Sequence, residues 1–553
     1  MLLSGSQIVM EELLAHGVDT VFGYPGGAAL NLYDSLYEYR DRIRHIMTAH
    51  EQGACHAADG YARSAGKTGV VFATSGPGAT NLVTGIATAW MDSVPLVAVT
   101  ANVASNLIGR DAFQEIYITG ITMPITKHNF LISDPKDISD ALRDAFRIAN
   151  SGRKGPVLVD ITKDATIAQC AYEPRPPQAL PEALCLDPSE AVSVAQLIEN
   201  AQRPVFYCGG GVIAADATEW VRRIAARCDI PVCHSMMGAG VIAYDDPLNL
   251  GMVGMHGTVA ANLAVDRCDL LLAVGARFPD RVALNPAKFA ASAKIVHIDA
   301  DRSELNKNVK VEMALRCDVR RALSAVFDQV KDAAHPQWLE EIRTWKTSCV
   351  GTSPADGPLD PQALIQSLSR MSGPDAIYVT DVGQHQMWAA QYLHHTEPKH
   401  FITSGGLGTM GFGYGAAIGA QLANPDKRIV HLTGDGSFHM NLNEGCTAVS
   451  YRLPIITVLF NNGVLGMVYQ WQSQFYGQRY SATVPRRQTD FVKMAEAFGA
   501  KGYAAGTLEE FEECYRLALQ EEGPVWIDCA IDKDIRVLPM IPGGGTVEDM
   551  ITE

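Results

Sequence analysis

Short apolar runs closed by glycine, proline or an acidic residue recur along the chain, and longer segments with helix-like spacing follow them. Val70-Val71-Phe72-Ala73-Thr74 leads into Ser75-Gly76-Pro77-Gly78, then a helical pattern over 80–91, then a second run at 95–99. Runs of this kind read as strands and the segments between them as helices. The alternation restarts at 204–207 and continues through 270–274 and 295–298. It restarts again at 376–380 and ends near Cys529. Strands that are apolar throughout and alternate with helices predict parallel sheets covered on both faces. The fold class is therefore α/β, with three doubly wound parallel-sheet domains.

Composition places the boundaries. Residues 171–190 are rich in proline (Pro174, Pro176, Pro177, Pro181) and read as a linker. A polar segment with Trp338 and Trp345 leads to Pro358 and Pro361, so 336–357 reads as a second linker. The domains are then 1–170, 191–335 and 358–530, with a tail at 531–553. Pro539, Pro542 and three glycines (543–545) make that tail loop-like and suited to closing over a site. The first and third domains share a layout, which hints at an old duplication. At the amino end Ser6 precedes Ile8, Val9, Leu13 and Leu14, predicting a helix that Gly17 terminates.

Apolar residues at 47% and charged ones at 19% of 553 positions exclude a disordered chain. A net charge of −16 argues against nucleic acid and anionic membrane as partners, since both need a positive surface. The 12 cysteines form no Cys-x-x-Cys pair and read as buried thiols in a reducing compartment. With no basic leader and no apolar stretch of membrane-spanning length, the expectation is a soluble, cytoplasmic enzyme.

Chemistry concentrates in the third domain. A strand-like run at 428–432 leads into Gly434-Asp435-Gly436-Ser437-Phe438, and a helix-compatible segment covers 443–452. The next run, 455–460, ends at Asn461-Asn462. This is one βαβ unit with parallel, adjacent strands, so Asp435 and Asn462 emerge at carboxyl ends, where open α/β sheets bind ligands. One carboxylate, one amide oxygen and glycine-opened backbone suit Mg2+ carrying a diphosphate better than zinc or iron. The rival reading is a plain turn with Asp435 as a helix cap. Glu51, between a strand-like run at 43–49 and a helix beginning near Gln52, has the same rival, because helix amino termini attract carboxylates.

Gly-Asp-Gly closing on Asn-Asn one βαβ unit later resembles the thiamine diphosphate signature. Tyr24-Pro25-Gly26-Gly27, Asp111-Ala112-Phe113-Gln114-Glu115, Gly383-Gln384-His385-Gln386-Met387-Trp388 and Gly408-Thr409-Met410-Gly411-Phe412-Gly413 narrow it. With these motifs in order from residue 24 to Gly545, the chain resembles the acetolactate synthase (acetohydroxyacid synthase) catalytic large subunits. The resemblance implies a pyrimidine-binding, a central flavin and a diphosphate-binding domain. It makes Glu51 the carboxylate that hydrogen-bonds the aminopyrimidine, with Gly27 and Gln114 beside it in the catalytic site. Thiamine diphosphate would meet Val382, Gly383, Gln384, His385, Gly408, Met410, Gly434, Asp435, Gly436, Ser437 and Asn462. Met410 would prop the cofactor in its bent shape. Asp435, Asn462 and Val464 would hold Mg2+.

The resemblance further assigns a structural FAD to Arg153, Gly209, Gly210, Gly211, Met255, His256, Gly275, Arg277, Asp299 and Asp318. Phe113, Lys163, Met255, Arg281 and Trp471 would line the substrate site, with Arg281 forked onto the carboxylate of a 2-keto acid. Pro279 stands where the family has Asp, Ala283-Leu284 where it has Thr-Gly, Asn102 where Gln is usual and Ala104 where Pro is usual. These departures predict weaker flavin binding. The implied activity joins decarboxylated pyruvate to a second keto acid, pyruvate or 2-ketobutyrate, in the first common step of branched-chain amino-acid synthesis. The implied assembly is a homodimer or tetramer with shared active sites, served by a separate small regulatory subunit. The rivals are a flavin-independent catabolic acetolactate synthase, a pyruvate oxidase-like enzyme and a non-catalytic binding homologue.

Overall fold

The computed structural model describes residues 1–347 and 359–553. Three six-stranded sheets organise it, and every pairing within them is parallel. The first contains Thr20–Gly23, Arg44–Met47, Gly69–Ala73, Leu96–Asn102, His128–Ile132 and Pro156–Thr162. With strands numbered along the chain, its order is 2-1-3-4-6-5. The third sheet runs Ile377–Thr380, Phe401–Ile402, Ile429–Gly434, Ile456–Asn461, Lys501–Ala505 and Val525–Ala530, with the same order. That shared topology gives structural content to the duplication hinted at in the sequence. The central sheet, from Pro204–Cys208 to Met313–Arg316, has the order 3-2-1-4-5-6, the dinucleotide-binding arrangement.

The strands form because their apolar runs are buried on both faces: Gly69–Ala73, Leu96–Asn102 and Leu270–Val274 have no exposed residue. The first and third domains lock through helices Glu51–Ala65 and Gly413–Ala423. Small residues let these backbones touch. A Cβ on Gly60 would collide with the carbonyl of Ala416, and one on Gly419 with that of Ala57.

Several boundaries differ from the sequence reading. Ser4, not Ser6, caps the first helix, exchanging hydrogen bonds with Gln7, while Gly17 ends it at φ +72° as expected. The helix expected over 80–91 is two, Pro77–Asn81 and Val83–Asp92. The segment 443–452 is a short 3-10 turn and the helix Gly445–Ser450. The first linker is shorter than expected, because Asp187 and Glu190 form a capping box and start helix Pro188–Asn200.

The second linker is corrected more deeply. Its first part is helix Pro336–Thr347, whose Trp338 and Ile342 lie four apart and are buried on the central domain. Trp338 donates its indole N–H to the Pro204 carbonyl at 3.1 Å. The remainder, 348–357, lies outside the described residues. The tail is loop-like as read, and it is tied down. Ile541 donates its N–H to Met255 across domains at 2.8 Å, and Met540 bridges Ile551. Every cysteine among the described residues is a free thiol, and none of their helices is long and apolar enough to cross a membrane.

Candidate functional site

In a doubly wound sheet the crevice opens where strand order reverses. In the third domain that point lies between Ile377–Thr380 and Ile429–Gly434, which pair directly. The expected strand Ile456–Asn461 is the next neighbour, parallel to Ile429–Gly434. Asp381, Val382 and Gly383 leave the first strand end, Asp435 the second and Asn462 the third.

Asp435 opens the turn Asp435–Phe438 and is buried. Burial pushes its carboxyl up to about 6, against the opposing pull of the Gly436 and Asn462 N–H groups. No cation partner offsets that burial among the described residues, and no group of three or more His, Cys, Asp or Glu forms a metal cage. A desolvated lone carboxylate beside an amide suits a divalent cation whose coordination is completed by an anionic ligand. Asn462 accepts the Val464 N–H at 3.2 Å and donates to Gln384 Oε1 at 3.1 Å. Gln384 in turn donates to Gln470 and to the Ile535 carbonyl of the tail, each at 3.0 Å. His385 is buried with Nε2 unpartnered, and burial lowers its pKa to about 4, so it is neutral. A Cβ on Gly434 would stand 3.0 Å from His385 Nδ1, so glycine keeps that crevice open. The residues present fit a magnesium diphosphate.

The Met410 segment is fixed from several sides. Thr409 N–H donates to Ser404 Oγ at 3.0 Å, and its hydroxyl meets Thr88 at 2.8 Å. Gly411 N–H donates to Ser437 Oγ, and its carbonyl accepts from Asn441, both at 3.0 Å. Ser437 thus braces this loop in addition to lying next to the crevice. Gly408, at φ +70°, leaves open space toward Val382.

Glu51 is the first residue of its helix, but His50 is the cap, accepting the Gln52 N–H at 3.1 Å. The Glu51 carboxylate, buried, instead accepts from Asn81 Nδ2 at 2.9 Å. Gln114 packs against Gly76 and Gly27 follows the strand Thr20–Gly23, so Gly27, Glu51 and Gln114 share the first domain's own switch point. Phe113 is 87% exposed there, and Lys163 is exposed beyond strand Pro156–Thr162. Among the described residues no hydrogen bond or ion pair joins Glu51 to Asp435 or Asn462.

All the flavin candidates line one cavity of about 1690 Å³, together with Arg281, Gly408 and Trp471. Gly209 and Gly211 approach Gly275 so closely that a Cβ on Gly209 would strike its carbonyl. His256 Nδ1 is buried and unpartnered, and burial raises the Asp299 carboxyl to about 6. Arg153 donates to Glu304 at 3.1 Å, to Asp301 at 3.3 Å and to Ser93 at 2.8 Å. Asp318 caps helix Val319–Phe327. Arg277 shares the lining, and the linker residues 180–184 form part of the wall. Size, open glycine backbone and sheet order fit a dinucleotide. Pro279 accepts the Val282 and Ala283 N–H groups at 2.9 Å each, forming a turn that leaves Arg281 paired with Asp280 at 2.7 Å. Both side chains are exposed, so that pair is weak and the guanidinium can turn inward. Trp471 packs on Phe475 at the cavity wall, and Met255 is buried there.

Two supports of the site carry little local signal in the sequence. Asp381 is fully buried and accepts from Thr433 and Gly413 at 2.8 Å each, with His431 at 3.3 Å. Burial opposes its charge, but the His431 contact and the Gly413 N–H outweigh that and hold it well below the usual range. An acid ending an apolar strand was the available signal. Glu444 accepts the Ala49 and His50 N–H groups at 3.1 Å each, tying the third domain to the helix that begins at Glu51. Nothing local in the sequence marks that bond.

Three family profiles cover the chain in order. "Thiamine pyrophosphate enzyme, N-terminal TPP binding domain" matches 3–121, the central domain 192–326 and the "C-terminal TPP binding domain" 381–529. The acetolactate synthase large subunit of Parasynechococcus marenigrum (strain WH8102) is 46% identical over 99% of this chain and 91% of its own. A probable acetolactate synthase large subunit of Methanocaldococcus jannaschii is 44% identical over 99% of this chain and 95% of its own. An acetolactate synthase of Mycobacterium bovis is 44% identical over 99% and 91%. With three thiamine pyrophosphate enzyme domains and such likeness along its whole length, the chain belongs to the acetolactate synthase large-subunit family.

Proposed function

We propose that this protein is a thiamine diphosphate-dependent acetolactate synthase, joining the two-carbon remnant of decarboxylated pyruvate to a second 2-keto acid. The observation that carries the reading is the buried carboxylate of Asp435, with no cationic partner among the described residues, at a strand end adjoining that of Asn462. Thiamine diphosphate, when bound, supplies a centre that stabilises negative charge on carbon during decarboxylation and transfer. Asp435, Asn462 and Val464 would hold Mg2+, with Gln384 and His385 facing the diphosphate. Asn81 would hold one oxygen of Glu51, leaving the other for the aminopyrimidine and a proton relay. Phe113, Lys163, Met255 and Trp471 would shape the substrate site with Arg281. The exposed Phe113 and Tyr117, next to Gln114 in sequence, support a site completed by a second copy of the chain. A homodimer is the smallest such assembly. Incubation with pyruvate and 2-ketobutyrate together, followed by mass spectrometry, should yield both acetohydroxy acids. Neither product forming would refute the reading.

Arg281→Ala is expected to damage transfer more than decarboxylation, because its charge would meet only the second keto acid. Acetaldehyde per pyruvate consumed should rise, and an unchanged acetolactate yield per CO2 would remove Arg281 as the carboxylate clamp.

FAD would bind in the large cavity without redox work, since the overall reaction transfers no electrons. Pro279 removes a carboxylate and a backbone donor, a change that costs a few kcal/mol at most. Protein as purified should carry a flavin band that fades on dialysis, with activity falling alongside. FAD or a redox-inert analogue should restore it. Full activity in stripped protein would indicate a flavin-independent enzyme.

A further inference from the structure

A buried charge cluster sits where the three domains meet, outside the residues assigned above. Arg63, on helix Glu51–Ala65, donates to Asp59 at 2.6 Å and to Asp92 at 3.0 Å, and both carboxylates are fully buried. The guanidinium also reaches the Thr403 carbonyl at 2.8 Å and lies 5.3 Å from the centre of the Phe412 ring. Asp92 in turn accepts the N–H groups of Gly405 at 3.1 Å and Gly406 at 2.7 Å. One ionic cluster of the first domain therefore grips both ends of 403–412, the segment that carries Gly408 and Met410. Buried charges are costly unless their geometry repays the desolvation, and here it does so largely on the main chain of this one segment.

The same turn faces the large cavity. Met91, Asp92 and Ser93 line it beside Gly405, Gly406 and Met237. Ser93 adopts φ +62° and accepts from Arg153 Nε at 2.8 Å. A Cβ on Gly406 would stand 2.8 Å from Asp92 Oδ1, so a side chain there would displace the carboxylate from its grip. Arg153, Ser93, Asp92 and the Gly405–Gly406 backbone are thus linked by direct contacts.

We infer that Asp92, braced by Arg63, is a positioning residue for the Met410 segment, and that the Asp92–Ser93 turn relays occupancy of the large cavity to the thiamine site. The inference rests on the function proposed above. A dinucleotide that orders Arg153 and Ser93 fixes Asp92, and Asp92 fixes the backbone four and five residues before Met410. Linkage makes the effect reciprocal, so FAD and thiamine diphosphate each tighten the other by the same factor.

Calorimetric titration of Mg2+ and thiamine diphosphate into cofactor-free protein, with and without FAD, tests this. In the wild type, FAD should tighten thiamine diphosphate binding by about 5-fold or more. Asp92→Asn cannot accept both glycine N–H groups, so this factor should fall towards one while FAD still binds. At saturating cofactors kcat should drop about 10-fold or more, with KM for pyruvate changing less, as expected for misplacement of a reacting group. Ser93→Ala leaves the Arg63 cluster intact, so it guards against misfolding of the first variant. It should cut the coupling while thiamine diphosphate affinity without FAD stays at the wild-type value. A wild type that binds no FAD or shows no coupling, or undiminished coupling in either variant, would overturn the inference. Wild type that makes acetolactate yet lacks coupling would defeat only this inference, whereas absence of acetolactate would defeat the function itself.

Discussion

Asp435→Ala is expected to lose thiamine diphosphate binding, weakening it by at least about 10²-fold, the upper range for disturbed metal shells. The reason is that Asp435 is the only carboxylate proposed for the cation, beside the amide of Asn462. Its burial without a cationic partner works against the empty fold, so removing it should not destabilise that fold. The cofactor-free variant should therefore melt no lower than the wild type while calorimetry shows binding gone. Binding retained at wild-type strength would place the cation elsewhere. A variant that melts much lower would mark Asp435 as a structural cap.

Glu51→Gln separates catalysis from binding. Glutamine keeps the size and can still meet Asn81, yet it cannot carry the proton. Turnover should fall by about 10²- to 10⁴-fold, the range for a positioned acid-base group. Thiamine diphosphate binding should stay within a few-fold, because the proposed anchors all lie in the third domain. Proton exchange at the cofactor's reactive carbon, followed by NMR, should slow in parallel with turnover. Since His50 already caps the helix, stability should barely change. Full activity in the variant would reduce Glu51 to a packing residue.

Much of this organisation was legible in the chain because it is local. The apolar runs at 70–74, 270–274 and 455–460 announce strands by their own composition, and Asp435 and Asn462 are placed by the βαβ unit that joins them. The Asn81 contact on Glu51 was not legible, since it depends on how a separate helix packs. The Asp92 bonds to Gly405 and Gly406 span more than three hundred positions, and no spacing rule reaches that far. Helix Pro336–Thr347 was hidden for a different reason: its two inward residues, Trp338 and Ile342, are outnumbered by polar neighbours, so the segment resembles a linker until its partner surface is present. The strand orders needed the structure as well. Periodicity identifies strands, but only packing sets which of them lie side by side.

Carboligation that depends on thiamine diphosphate is read out directly by a balance of its products. Purified wild-type protein is given pyruvate with Mg2+, thiamine diphosphate and FAD, and CO2 and acetolactate are quantified together, with thiamine diphosphate omitted in the control. The expected outcome is one CO2 released for each acetolactate formed, and neither product in the control. CO2 release accompanied by acetaldehyde or acetate instead of acetolactate, or acetolactate formed without thiamine diphosphate, would contradict it.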